Sequence, residues 1–221
     1  MRNPIIATLA VCAIFCGVIA AAQDAPSQAA VMLMDVGPGG NIFRNPAYAA
    51  QASLIVNEEL GALNLQNGDS LVLRTFGSPD MVDQLALADW NWSINFAYRG
   101  AQAKDIPPFI DERIAALAEV PAQASSDLMV GLADLSGMGL CEKHQTLTTI
   151  ILSNGIESGE VSGQDFILPG PPSDARLCGR VVWVGLWVDD PVPVPGLKAP
   201  ALELFIQLAK QLGASDAEVR R

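Results

Sequence analysis

The spacing of apolar and polar residues changes several times along the chain, and each spacing predicts a strand or a helix. Four short runs consist mostly of apolar and β-branched residues bounded by turn residues, which is typical of buried strands. These runs are residues 29–36, Ser70–Phe76, Thr146–Ser153 and Arg180–Val188. The last run, "RVVWVGLWV", is almost continuously apolar, as in a strand that is covered on both faces.

Four other segments place their apolar residues at helical spacing and carry helix start or stop signals. The predicted helices are Pro46 to about Leu63, Pro107 to about Val120, Asp127 to about Leu135, and Pro200–Leu212. Proline opens the first two helices, where its missing N–H costs nothing. Ser125 or Ser126 is placed to cap the third helix, and Gly213 is a typical end for the fourth.

A stricter alternation marks the stretch "DWNWSINFAYRG". Large apolar side chains occupy every second position from Trp90 to Tyr98, and mostly polar residues fill the positions between them. This period of two predicts an edge strand with one covered face and one solvated face. An aromatic stripe is also found on binding surfaces, but at strand spacing we interpret it as core packing.

The order of these elements predicts an α/β fold with a doubly wound, mostly parallel sheet and helices on both faces. Residues 156–178 are rich in Gly, Pro and Ser and are predicted to form a loop, and the tail "ASDAEVRR" is polar. Neither an internal repeat nor a second domain is indicated. Residues 23–221 are therefore predicted to form one domain.

The first 22 residues have the pattern of a secretory signal peptide. Arg2 precedes an uncharged apolar stretch, and Ala20-Ala21-Ala22 offers small residues for cleavage before Gln23. We therefore predict a periplasmic or secreted protein that is not inserted in the membrane after cleavage. The alternative is an uncleaved membrane anchor, because the apolar run is just long enough to span a bilayer.

Composition excludes some partners and gives little support to catalysis. The formal net charge is −11 and no basic block occurs, which argues against nucleic acid and anionic lipid as partners. His144 is the only histidine, and no G-x-S-x-G or H-E-x-x-H motif is present. We predict that the protein is not an enzyme.

Cysteine usage agrees with export. Cys12 and Cys16 lie in the predicted signal peptide, so Cys141 and Cys178 remain as an even pair in an oxidising compartment. The count favours one disulfide over a zinc site or a nucleophile, since two cysteines and one histidine make a poor zinc ligand set.

The stretch "MDVGPGG" follows the first predicted strand, and ligands in doubly wound sheets bind beyond such strand ends. It resembles the glycine-rich loop of Rossmann-like methyltransferases, which would hold S-adenosylmethionine. Asn41 stands where that motif has its third glycine, a helix does not follow at once, and "RTFGSPD" lacks an acidic residue at the tip of the second strand. These departures leave the methyltransferase as a lesser alternative.

The chain also resembles the von Willebrand factor type A (VWA) domain family along nearly its whole mature length. The segments that carry the resemblance are "AVMLMDVGPGG", "LNLQNGDSLVLRTFGS", "SSDLMVGLADL", "TTIILSNGIES", and "RVVWVGLWVDD" followed by "ALELFIQLAKQLGA". They occur in the order that the family has them. The resemblance implies a doubly wound sheet with one antiparallel edge strand, which corresponds to the stretch around Trp90–Tyr98.

In that family, serine, threonine and aspartate residues form a metal-ion-dependent adhesion site for Mg²⁺ or Mn²⁺. Carried over, the motif keeps its first aspartate as Asp35 but has Gly37 and Gly39 at the serine positions. Ser126 matches the threonine, and Asn154 stands at the second aspartate. With one carboxylate left, the resemblance implies a degenerate site with weak or no metal binding.

Three further acidic residues, Asp127, Asp189 and Asp190, offer replacement ligands, although solvated loop carboxylates are the simpler interpretation. The resemblance also makes the strands after Cys141 and Cys178 parallel neighbours, so that both cysteines lie at one edge and pair. The sequence thus predicts an exported, non-catalytic protein-binding module of unknown partner with a degenerate metal site. The alternatives are a metal-dependent adhesion domain and an S-adenosylmethionine-binding enzyme.

Overall fold

The four apolar runs form adjacent strands of one six-stranded sheet in a computed structural model of the protein. The structure describes residues 27–66, 68–78, 92–95, 105–120, 123–162, 165–188 and 196–221. The predicted signal peptide, its cleavage site and the pair Asp189–Asp190 lie outside the described residues.

The elements of the described residues follow the predicted order of strands and helices. The strands are β1 (Gln28–Asp35), β2 (Ser70–Phe76), β3 (Trp92–Asn95), β4 (Thr146–Leu152), β5 (Glu160–Ser162), β6 (Asp165–Ile167), β7 (Arg180–Val184) and β8 (Asp216–Arg220). The α-helices are α1 (Pro46–Leu63), α2 (Ile106–Ala116), α3 (Leu128–Gly137), α4 (Leu140–Lys143) and α5 (Lys198–Gln211). Short 3-10 helices span Pro38–Arg44, Leu117–Glu119 and Ile156–Ser158.

The large sheet has the strand order β3-β2-β1-β4-β7-β8. Five strands are parallel, and β3 pairs antiparallel with β2 at one edge. The chain order reverses between β1 and β4, so the carboxyl ends of these strands form the switch point of a doubly wound fold. The predicted fold class is confirmed, including the antiparallel edge strand.

Each face of the sheet packs against its own helices. Alternate residues of β1 belong to different cores: Val31 and Leu33 pack on the face covered by α3 and α5, whereas Met32 and Met34 pack on the face covered by α1 and α2. Every residue of β1 after Gln28 is buried because both faces are covered, which explains the unbroken apolar run from Ala29 to Met34.

Several element predictions need correction. The third helix is capped by Asp127, whose side chain accepts the Val130 N–H (3.1 Å), so neither Ser125 nor Ser126 is the cap. The strand that begins at Arg180 ends at Val184, because Gly185 turns the chain with a φ of 88°. The predicted loop 156–178 contains the β5–β6 hairpin, and the polar tail forms β8 beside β7.

The predicted disulfide is present between Cys141 and Cys178, whose Cα atoms are 5.9 Å apart. Cys141 lies just before β4 and Cys178 just before β7, and these strands are parallel neighbours. The bond therefore joins the amino ends of two central strands. Among the described residues, no helix combines the length and the apolar character that crossing a membrane requires.

Candidate functional site

Three segments that are far apart in the sequence meet at the carboxyl ends of β1 and β4. Asp35 is the last residue of β1, Ser126 precedes α3, and Ser153 and Asn154 follow β4. All four side chains are buried, and Asp35 is only 1% exposed. The parallel sheet positions this cluster because its strands end at a common edge.

The carboxylate of Asp35 accepts hydrogen bonds at both oxygens. Oδ1 accepts the backbone N–H of Gly37 (2.9 Å) and the hydroxyl of Ser126 (2.7 Å). Oδ2 accepts the hydroxyl of Ser153 (2.6 Å). A buried carboxylate is stabilised by such donors.

The two serine hydroxyls also accept backbone hydrogen bonds, which extends the network into both neighbouring loops. The Gly39 N–H donates to Ser126 Oγ (2.9 Å), and the Gly155 N–H donates to Ser153 Oγ (3.0 Å). Each hydroxyl thus links a loop amide to the carboxylate of Asp35. We refer to the six residues that these hydrogen bonds join as the Asp35 network: Asp35, Gly37, Gly39, Ser126, Ser153 and Gly155.

Asn154 lies beside this network, but its side chain stabilises the turn after β4. Its side-chain oxygen accepts the Ile156 N–H (2.9 Å), its backbone N–H donates to the Gly39 carbonyl (2.9 Å), and its carbonyl accepts the Trp187 N–H (3.0 Å). Trp187 has a φ of 53°, which is uncommon for a residue other than glycine. Asn154 therefore fixes the positions of three loops through hydrogen bonds to backbone groups.

The glycines are required by the close approach of the loop to its neighbours. A Cβ on Gly39 would lie 2.2 Å from Asp35 Oδ2, and a Cβ on Gly37 would lie 2.1 Å from the Ser125 carbonyl oxygen. These distances are far inside van der Waals contact. A serine at either position, as in the adhesion-site motif, does not fit unless the loop moves.

The sequence analysis named Asp35, Gly37, Gly39, Ser126 and Asn154 as one site, and the structure brings all five together. It did not name Ser153. The register pairs Met34 with Leu152, so the next residues, Asp35 and Ser153, lie side by side at the sheet edge. That adjacency follows from aligning the ends of the two predicted strands, and this alignment would have found Ser153.

The arrangement offers little to a divalent cation. The described part of the chain contains no cluster of three or more His, Cys, Asp or Glu residues suited to holding a metal. Asp127 is occupied as the helix cap of α3. Both oxygens of Asp35 already accept protein donors, which compete with Mg²⁺ or Mn²⁺ for the lone pairs of the carboxylate. The residues present do not fit the metal in this conformation.

His144 lies away from the Asp35 network. It directly precedes β4 and therefore sits at the amino edge of the sheet, opposite the edge where Asp35 lies. The lone imidazole cannot serve as a general base for a group bound near Asp35.

A second buried carboxylate, Glu59 of α1, has charged partners. Its Oε2 accepts the guanidinium of Arg180, and its Oε1 accepts that of Arg220 (2.5 Å). Burial alone would raise the pKa of Glu59, but hydrogen bonds and positive charge from the two arginines hold that pKa below its ordinary value. The same contacts raise the pKa of both guanidinium groups. Glu59 thus joins α1 to β7 and β8.

Comparisons with known proteins add a distant likeness. No protein-family model matches the chain, and no match is found among curated proteins. The chain is similar in structure to the pilus adhesin SpaC from Lactobacillus rhamnosus GG, with 15% identity and a TM-score of 0.48. The likeness covers 88% of this chain and 28% of that adhesin. The fold class rests on the strand order and register described above.

Proposed function

We propose that this chain is an exported, non-catalytic protein-binding module of the VWA-like kind, with a degenerate adhesion site that works without metal. The observation that carries the proposal is the closed Asp35 network. Its carboxylate is held by one amide and two hydroxyls, and its glycine loop leaves no room for the serine ligands. A protein interaction then depends on surface shape and charge instead of a shared cation.

The positions of the resembling segments support the VWA-like part of the proposal. They fall on β1 and its loop, on β2, on Ser126 with α3, on β4 with Asn154, and on β7. The antiparallel strand β3 lies beside β2, as the resemblance implies. These placements bring the counterparts of the metal-site residues to one sheet edge.

A cost argument supports the absence of metal. Mg²⁺ gives up its water reluctantly and needs several oxygen ligands at fixed distances. Here the one carboxylate is buried and already accepts hydrogen bonds of 2.6–2.9 Å, which compete with a cation for its lone pairs. One carboxylate and two hydroxyls offer weak compensation for the water that the ion gives up.

The disulfide between Cys141 and Cys178 is compatible with an extracellular location. Together with the predicted signal peptide, it supports placement in the bacterial periplasm or envelope. A cytosolic chain with the same cysteines would be kept reduced and would lose this link between β4 and β7.

Thermal melting with divalent cations tests the metal-free site. Since a ligand that binds only the folded state raises the melting temperature, we expect no shift with millimolar Mg²⁺ or Mn²⁺ relative to EDTA. A rise that EDTA reverses, and that is lost in Ser126→Ala, would favour the metal-dependent adhesion domain instead. A rise with S-adenosylmethionine would favour the enzyme.

Partner capture tests the binding role. The mature protein, immobilised through its chain terminus, is exposed to a detergent-solubilised envelope fraction in Mg²⁺ and, separately, in EDTA. We expect the same saturable partner under both conditions. Retention in Mg²⁺ alone, or no saturable partner in either buffer, would contradict the proposal.

A further inference from the structure

We propose that the seam between α1 and α2 is a docking groove for a partner segment that is mainly apolar and carries one lysine or arginine side chain. This inference rests on the proposed protein-binding function and names the surface and the chemistry of the partner. We call the surface the α1–α2 groove.

The groove extends along most of α1. Its main part is a cavity of about 540 Å³ bordered by Phe43, Pro46, Ala50 and Leu54 on one side and by α2 on the other. A second cavity of about 210 Å³ continues it past Asn57 toward the end of α1. The α1 helix spans about 27 Å, which matches roughly eight residues of extended chain.

Small side chains keep the groove open. Ala49 and Ala50 of α1 face Ala115 and Ala118 across the seam. The start of α1 and the end of α2 therefore have little side-chain volume between them. Leu54 borders this space and is 62% exposed. An exposed leucine beside an apolar cavity of this size is typical of a binding surface, since a monomer gains nothing from leaving both in water.

The polar groups in the groove offer mainly hydrogen-bond acceptors. The carboxylate of Asp111 accepts the Ser53 hydroxyl and the Asn57 side-chain amide (2.7 Å), both at its Oδ1 atom. The Oδ1 atom of Asn57 is buried and has no hydrogen-bond partner among the residues that the structure describes. Flipping that amide would set its oxygen against the Asp111 carboxylate, so the acceptor orientation is the favourable one.

The exposed carboxylate of Asp111 is the acceptor in the groove that a partner can reach. A lysine or arginine side chain supplies both an apolar stem for the alanine walls and N–H donors for Asp111. The formal net charge of −11 also favours approach of a basic segment. Arg44 lies at the end of the groove where α1 begins, and its guanidinium donates a hydrogen bond to the Val120 carbonyl (2.9 Å).

Isothermal titration calorimetry with synthetic peptides tests the groove in the mature protein. The probes are an acetylated and amidated leucine-rich octapeptide with one central lysine, and two versions with norleucine or glutamate in its place. We expect saturable binding of the lysine peptide that weakens at least fivefold with norleucine and is undetectable with glutamate. Equal binding of the lysine and glutamate peptides would overturn the proposal.

Three variants locate the binding. Asp111→Asn keeps the shape and removes the charge, so it should weaken the lysine peptide several-fold but leave the norleucine peptide unchanged. Ala50→Trp fills the groove from an exposed helix position and should abolish binding of both peptides. Ala62→Trp places the same side chain on α1 outside both cavities and should bind like the wild type.

The outcomes separate this inference from the proposed function. Loss of peptide binding in Ala62→Trp as well as Ala50→Trp, or no binding to the wild type, overturns the groove while leaving the metal-free module intact. A cation-dependent melting temperature overturns the metal-free site and does not affect the peptide result.

Discussion

Asp35 and Glu59 are both buried carboxylates, at 1% and 4% exposed, but the protein holds them in opposite ways. Among the described residues, a backbone amide and two hydroxyls donate hydrogen bonds to the Asp35 carboxylate. Glu59 is held between two guanidinium groups that are about one-third exposed. The first carboxylate accepts hydrogen bonds from oriented dipoles, and the second pairs with opposite charges.

The difference separates two structural tasks. The Asp35 network joins three loops at the carboxyl edge of the sheet through buried hydrogen bonds. Glu59 fastens the last strand of the sheet to α1 through arginine side chains that water reaches. We therefore expect the Glu59 cluster to respond to salt and pH more than the buried hydrogen bonds of the Asp35 network do.

The largest effect is expected from Asp35→Ala. It would leave the Gly37 N–H and the hydroxyls of Ser126 and Ser153 buried without their acceptor, a loss of about 3 kcal/mol in the free energy of unfolding. Urea denaturation measures this loss. Asp127→Ala, at the same edge, removes only a helix cap and should cost about 1 kcal/mol. Equal losses for the two variants would mean that the network adds nothing beyond a cap.

A somewhat smaller effect is expected from Glu59→Gln, at about 2 kcal/mol near neutral pH, because two half-buried arginines lose their shared charge partner. The folded-state pKa of Glu59 is lowered from an ordinary value of 4.5. Its contribution is therefore complete above that pH and is lost as the pH falls through the lower folded-state value. Melting curves from pH 7 down to pH 3 should fall less steeply in the variant, and parallel curves would refute this role.

The smallest effect is expected from Glu58→Gln. Glu58 also contacts Arg220 (2.7 Å), but its side chain is 53% exposed. An exposed ion pair of this kind contributes well under 1 kcal/mol, so the melting temperature should change by no more than a degree or two. A loss as large as that of Glu59→Gln would show that burial does not separate the two glutamates.

Most of the large sheet could be predicted from the sequence. Its buried strands are apolar, β-branched runs bounded by turn residues, and this pattern is typical of strands. The strand β8 could not be predicted in this way, since Asp216, Glu218 and Arg220 make it look like a solvated tail. Arg180 and Glu59 pair with these charges from elsewhere in the fold, and Ala217 and Val219 pack on the core. That pairing depends on residues far away in the sequence. The β5–β6 hairpin was missed because strands of three residues leave no clear period.

The sequence predicted where the candidate site lies, but not how its side chains and loops contact one another. Asp35 and its glycines stood out because they follow a strong strand. The sequence analysis interpreted Gly37 and Gly39 as sites of missing hydroxyls, whereas the structure shows that the loop packs too closely for any side chain there. The hydroxyl that does reach Oδ2 of Asp35 comes from Ser153, 118 residues away.

The Asp35 network has a consequence for the entropy of binding. Its loop continues into the 3-10 helix Pro38–Arg44, which leads through the Asn45 cap into α1, while Arg44 is bonded to the segment that follows α2. The buried carboxylate thereby helps to set the spacing of two helices on the surface. A partner that docks between them meets a preorganised receptor, and little conformational freedom remains to be lost when the complex forms.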